Sequence, residues 1–264
     1  LIIAVVFVIS ELVCVACVPE RPVACDEKPG KISDMFKALF KNDQAMTVVV
    51  SIILVYTSLN ICGNLVLYFF RFDVGNEGAY SIFAAVAFAA QVLVMMVIPL
   101  LRKRFSKSQL FISGFIIQIA GFAVILIMAF AKLYTPQSWY ILCLPGILIY
   151  LGYGMLNVIM TIFLSDSVDY GEVMNGTREE SVIFSMQTFT VKLASGVAVF
   201  LAGLVVDWIH LDTAAAVQTQ DTLDALRMWM TIPSVILLIV GIFVFKRFYK
   251  LDDTRMEEIK SKLN

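Results

Sequence analysis

One lysine stands alone in a long uncharged run. Between Ser181 and Val206 the only charged side chain is Lys192, within SMQTFTVKLASG, residues 185–196. An ammonium at bilayer depth costs about 2.5–3.5 kcal/mol on insertion scales, so it is expected to face a protein interior or a wet cavity. Ser181, Ser185, Thr188, Lys192 and Ser195 follow one another at steps of 4, 3, 4 and 3. That spacing places them on one face of a helix, with Gln187 beside the stripe. A polar stripe with a cation at its centre suits the wall of a hydrophilic pathway. A structural lysine, paired with a carboxylate on a neighbouring helix, is the alternative.

Other polar residues have the same character. In YLGYGMLNVIM, residues 150–160, Tyr153 and Asn157 stand at i and i+4 and share a helix face. Aromatic rings stack on the C–H faces of sugars and amides reach their hydroxyls, so this pair suits a sugar site. Ordinary helix packing, with Gly152 and Gly154 allowing close approach, fits equally well. Asn60 and Asn64 repeat the i, i+4 spacing and could line the same cavity or bond between helices. In SDSVDYGEVMNGTREES, residues 165–181, Asp166, Asp169 and Glu172 gather near the end of an apolar run, with Arg178 close by. Carboxylates at a helix C-terminus oppose the dipole, so a basic partner is expected. An inter-helix ion pair there would act as a gate; a solvated acidic loop is the bland reading. Glu11, inside the first apolar run, has no firm role.

The elements that carry these residues follow from composition. Of 264 residues, 60% are hydrophobic and 16% charged, with a net charge of −1. Soluble domains carry about 25% charged residues, so the class is an all-α polytopic membrane protein. The charge balance gives no reason to expect nucleic acid. Seven apolar segments of helical length are expected at about 1–18, 46–70, 79–101, 109–131, 138–165, 181–208 and 228–248. The first is short and reads as a helix cut at its N-terminus. Sixteen Lys and Arg residues fall on one side of this arrangement, in 19–45, 102–108, 166–180 and the tail. Only Arg71, Lys132 and Arg227 fall on the other, so the tail is expected in the cytoplasm. FKALFKND, residues 36–43, reads as a short amphipathic surface helix or a solvated loop. The five cysteines read as small apolar fillers. No metal site is expected, because Cys14 and Cys17 lack a second pair and His210 is the only histidine. No nucleophile or zinc motif suggests an enzyme.

Residues 166–209, DSVDYGEVMNGTREESVIFSMQTFTVKLASGVAVFLAGLVVDWI, resemble the hallmark region of the glycoside–pentoside–hexuronide:cation symporters, melibiose permease-like members of the major facilitator fold. The family pattern is Asp-x-x-Asp-Tyr-Gly-Glu, a basic loop, then a helix with Gln-Thr-x-x-x-Lys; Gln187, Thr188 and Lys192 match in register. PERP, residues 19–22, and LYFFRFDVGNEG, residues 67–78, resemble the ends of the family's sixth and seventh helices. The resemblance covers most of the chain. It implies the last part of helix six at 1–18 and a cytoplasmic central loop at 19–45. It further implies the six-helix C-terminal half at 46–248, a cytoplasmic tail at 249–264, and a bacterial inner or plasma membrane location.

What the resemblance implies for function is secondary active transport: Na+- or H+-coupled symport of a sugar or glycoside by alternating access between two halves. Lys192 resembles the family lysine between the sugar and cation sites, and Gln187 and Thr188 its cavity-facing neighbours. Asp166, Asp169 and Arg178 resemble the charged cytoplasmic cluster that closes the inner gate. Asn157 departs from the tryptophan of melibiose permease-like members, which disfavours melibiose or a close galactoside. The implied partners are the sugar, the coupling cation, membrane lipid and the N-terminal half. No cofactor is implied, and the cation is expected to be held mainly by carboxylates of that half. Lys192 is therefore expected to meet no carboxylate within this chain. A non-transporting membrane remnant or scaffold is one alternative. A seven-helix receptor or retinal protein, with Lys192 holding a Schiff base, is another, although retinal proteins carry that lysine on their seventh segment.

Overall fold

The computed structural model describes residues 2–17, 40–176, 180–215 and 217–263. The chain divides into two units, residues 1–35 and 36–264. In the first, α1 (Ile2–Cys17) is an apolar helix of 16 residues that carries Glu11. Most of the expected central loop, 19–45, and the first half of the amphipathic stretch at 36–43 lie outside the described residues. Phe40 and Lys41 are exposed, and Asn42 is buried.

The second unit holds six helices long and apolar enough to cross a membrane. These are α2 (Asp43–Tyr68), α3 (Ala79–Leu101), α4 (Lys107–Phe130), α5 (Cys143–Asn175), α6 (Glu180–Trp208) and α7 (Gln220–Phe248), followed by the short α8 (Asp253–Leu263). No strand occurs among the described residues. Three of the helices start on side-chain caps: Asn42 Oδ1 accepts from Ala45 N at 2.9 Å, and Ser106 forms a capping box with Gln109. Thr219 caps α7 by accepting from Thr222 N. Gly176 ends α5 at φ +74°, a conformation that side chains with a Cβ rarely adopt.

Four boundaries differ from those expected. The helix expected at 46–70 begins at Asp43 and continues beyond Tyr68 through one π-helical turn, Phe69–Asp73. The helix expected at 138–165 begins with a 3-10 turn at Trp139–Leu142 and runs on to Asn175. The helix expected at 228–248 begins at Gln220. In the last two the apolar run stops at charged residues while the helix does not; of those charges, Asp166 and Arg227 are buried and paired with residues of other elements. The tail, expected at 249–264 without an element of its own, contains α8.

α5 packs against α3, α4 and α2, while α2 packs against α7 and α6 and α4 against α7. Close approach along the α4–α5 seam depends on glycine. A Cβ at Gly152 would lie 2.5 Å from the Gly114 carbonyl oxygen and 2.6 Å from Gln118 N, and one at Gly121 would lie 2.7 Å from Ile149 N. α2 and α7 are joined by a reciprocal pair: Ser58 Oγ donates to Ser234 O at 3.1 Å, and Ser234 Oγ to Ser58 O at 2.8 Å. Phe111, Phe115, Phe163, Phe245 and Tyr249 stack into an aromatic cluster towards one end of the core. There Leu251 and, from α8, Met256 and Ile259 pack over Tyr170 and Val173. Cys62 is buried and Cys143 half-buried, both free.

Candidate functional site

α6 is packed on one face only. Ile183, Thr190, Ala194, Ala198, Ala202 and Val205 are buried, and small residues at these steps let α6 lie close to α2. Two residues along a helix turn it by about 200°, so Thr188 and Lys192 point away from the seam that buries Thr190 and Ala194. Ser181, Ser185, Thr188 and Lys192 are exposed and Ser195 is half-buried. The polar stripe therefore forms an open face of the bundle.

Three helices contribute to that face. Ser195 Oγ on α6 donates to Asn60 Oδ1 on α2 at 3.5 Å, and Gln187 Nε2 donates to Thr161 Oγ1 on α5 at 3.4 Å. Asn157 Nδ2 donates to the Tyr56 hydroxyl, joining α5 to α2. The Tyr56 and Tyr153 rings meet edge to face at 5.5 Å, with Tyr153 buried and Tyr56 half-exposed. Asn60 and Asn64 each donate to the carbonyl one turn back, of Tyr56 and Asn60 respectively, at 2.7 Å. Asn60 Oδ1 takes the Ser195 hydroxyl, and Asn64 Oδ1 is left as an acceptor. Thr188 Oγ1 donates to Phe184 O at 3.4 Å. No hydrogen bond or ion pair reaches Lys192 from the described residues.

Chemically, this face offers an ammonium, three amide groups from Asn and a glutamine, hydroxyls and two tyrosine rings. It suits a polyhydroxylated ligand, whose hydroxyls both donate and accept. Tyr56 and Thr161 complete the set without having been singled out in the sequence. Their signal was the same periodicity: Tyr56 stands four residues before Asn60, and Thr161 four after Asn157.

The charged cluster lies at one end of the bundle. Asp166, buried on α5, pairs with Lys107 at the start of α4. Lys107 Nζ also lies 3.4 Å from Asp253 Oδ1 of α8, and Arg102 Nη2 contacts the same oxygen at 3.4 Å. Asn42 Nδ2 donates to Ser167 O at 2.8 Å, tying the start of α2 to the same place. Burial raises the Asp253 carboxyl, but Lys107 and Arg102 outweigh it and hold the group below its ordinary range. Asp169 is half-buried and engaged in an interaction of its own. Arg178 lies outside the described residues. The basic partner of Asp166 thus comes from 59 residues away in the chain, and neither Lys107 nor Asp253 had been picked out.

A second charged cluster closes the opposite end. Arg227 grips Asp73 with two guanidinium nitrogens, both side chains buried, and donates to Asp224 Oδ1 at 2.7 Å. The Tyr134 hydroxyl donates to Asp73 Oδ2 at 2.7 Å. Burial and the Asp73 carboxylate push that phenol up. Arg71 and Lys132, the other cations expected at this end, bond to Thr213 O and Gln220 Oε1. The described residues hold no cluster of three or more His, Cys, Asp or Glu that could bind a metal.

Comparison with known proteins gives the same outline. Residues 1–253 match the MFS/sugar transport protein family. The chain is 25% identical over 254 residues to an uncharacterized symporter of Bacillus subtilis (strain 168), covering 96% of this chain and 54% of the relative. It is 23% identical over 234 residues to the raffinose carrier protein of Pediococcus pentosaceus, covering 88% of this chain and 35% of the relative. It is 25% identical over 255 residues to the isoprimeverose transporter of Lactiplantibacillus pentosus, covering 96% and 51%. The chain thus spans about half or less of the length of these relatives.

Proposed function

The chain belongs to the MFS/sugar transport protein family and is an integral membrane protein; from that premise we propose that it forms one half of a symporter for a sugar or glycoside. The observation that carries this reading is the open face on which α2, α5 and α6 gather Tyr56, Asn157, Gln187 and Lys192. In a bundle of membrane-length apolar helices, a polar face of that kind needs water, ligand or protein against it. Relatives named for raffinose, isoprimeverose and lactose support a substrate with at least one pyranose ring.

In this mechanism the sugar sits against the Tyr56–Tyr153 pair, with Asn157 and Gln187 reaching its hydroxyls. Lys192 stands beside it as the movable counter-charge. A Na+ or H+ bound to carboxylates of the remaining half relieves Lys192 of their attraction and raises sugar affinity, a reciprocal coupling of two sites. The two halves then rock about the loaded site. The Lys107–Asp166–Asp253–Arg102 cluster, with Asp169 and Arg178 nearby in sequence, holds the cytoplasmic end in one conformation until that movement.

The test is Lys192→Ala in the full-length protein. Cation-driven sugar uptake is expected to fall to background while the protein still reaches the membrane at normal levels. Uptake that stays coupled to the cation gradient in this variant would sink the assignment. Absence of uptake by the unaltered protein across a panel of mono-, di- and trisaccharides would favour a membrane scaffold instead.

A further inference from the structure

Beyond Lys192, towards the Arg227–Asp73 end, the same open face deepens into a groove of about 360 Å³ between α2 and α6. Asn64 and Tyr68 line it from α2, and Gly203, Val206 and Asp207 from α6. It lies on the polar side of the seam. Val199 and Val206 follow Ser195 by one and three turns, and Ser195 is the residue that meets Asn60. The groove is open beside Gly203, where an added Cβ would meet nothing within 4 Å.

The polar atoms that converge on this groove have acceptor or donor capacity to spare. Asn64 spends its amide N–H on Asn60 O and leaves Oδ1 unused. No hydrogen bond reaches the Tyr68 hydroxyl or the exposed Asp207 carboxylate from the described residues. The Tyr68 ring lies parallel to Phe72 with centroids 6.5 Å apart, which fixes a flat aromatic wall. A carboxylate and an amide oxygen accept from neighbouring hydroxyls, while an aromatic face covers the C–H side of a pyranose. From Lys192 to Gly203 is eleven residues, on the order of 16 Å along the helix at 1.5 Å per residue. That separation places the groove outside the reach of a single ring held at Lys192.

We propose that this groove is a second, outer sugar subsite, in which Asp207, Asn64 and Tyr68 receive one pyranose ring of an arriving glycoside before it moves to the Lys192 cavity. The proposal rests on the transport reading above. An entry site of this kind contributes to capture rather than to translocation. Its loss therefore raises KM and leaves the maximal rate near its original value.

The experiment uses the full-length protein in cells, with uptake of raffinose, lactose and glucose followed for the unaltered protein and for Asp207→Asn, Tyr68→Phe and Gly203→Val. For whichever sugar is transported, Asp207→Asn is expected to raise KM about tenfold, the effect of exchanging a charged acceptor for a weaker neutral one. Gly203→Val, which puts a branched side chain into the groove, is expected to do the same, with maximal rates within twofold in each case. Asp207→Asn changes an exposed side chain, so it supplies the answer if a groove-filling variant fails to reach the membrane. Unchanged KM in Asp207→Asn and Tyr68→Phe, in a protein that transports normally, would overturn the outer subsite and leave the transport reading intact. Failure of the unaltered protein to move any sugar would instead overturn the transport reading itself.

Discussion

Lys107 and Asp166 are each about 5% exposed and meet where α4 begins and α5 has nine residues still to run. Removing one member of such a pair leaves a buried charge with no partner, which costs about 3–5 kcal/mol. Replacing both by apolar residues of similar size is often near neutral. Thermal unfolding in detergent is therefore expected to show Lys107→Met as strongly destabilised and Lys107→Met with Asp166→Leu as largely restored. Equal losses in the single and double variants would contradict this. Asp253 makes a pH prediction at the same place. Its folded-state carboxyl is held below the ordinary value of about 3.9, so its contribution is present above that pH and lost as pH falls through the lower value. The protection of α8 amides, measured against their intrinsic exchange rates at each pH, is expected to hold down to about pH 4 and to fall below it. Protection that is unchanged between about pH 5 and 3 would remove Asp253 as the anchor. At this scale the sequence was half legible. The Lys192 stripe could be read from its 4-3-4-3 spacing, because a helix period is local information. The pairs Lys107–Asp166 and Arg227–Asp73 could not, because their partners lie 59 and 154 residues apart and composition carries no trace of who meets whom.

At the scale of elements, the bundle is held by close helix seams more than by length of apolar run. Gly152 shows this most directly, since its missing Cβ leaves room for backbone atoms of α4 that have nowhere to go. Gly152→Ala is expected to destabilise by about 1–3 kcal/mol through overpacking. Gly63→Ala, whose Cβ would meet nothing within 4 Å, is expected to stabilise by up to about 1 kcal/mol through helix propensity. Melting temperatures of the two variants in the same detergent compare them, and the reverse order would refute the seam argument. The helix bounds tell a related story. The helix at 79–101 was legible to the residue, because uncharged side chains fill it and charged ones follow it. α5 and α7 extend 10 and 8 residues beyond the apolar segments that announced them. In each, a charge that ends the hydropathy signal is neutralised by a partner on another helix, so the helix continues through it.

For the whole molecule, the fold class and the family were both legible, the first from hydropathy and the second from Gln-Thr-x-x-x-Lys with its upstream carboxylates. The missing part was the closure of both ends. One end gathers Arg102, Lys107, Asp166 and Asp253, the other Arg71, Asp73, Lys132 and Arg227. The excess of Lys and Arg around the first end predicts that it faces the cytoplasm. Single cysteines at Lys103 and Lys250 are expected to resist a membrane-impermeant maleimide in intact cells and one at Lys132 to react; the opposite pattern would invert the orientation. The central claim concerns what the open face does. Full-length protein reconstituted into sealed liposomes, with an imposed inward Na+ or H+ gradient, tests it most directly. The account predicts that a labelled sugar accumulates above its external concentration, that collapsing the gradient releases it, and that Lys192→Ala abolishes it. Equilibration no faster than in protein-free liposomes, for every sugar and both cations, would contradict it.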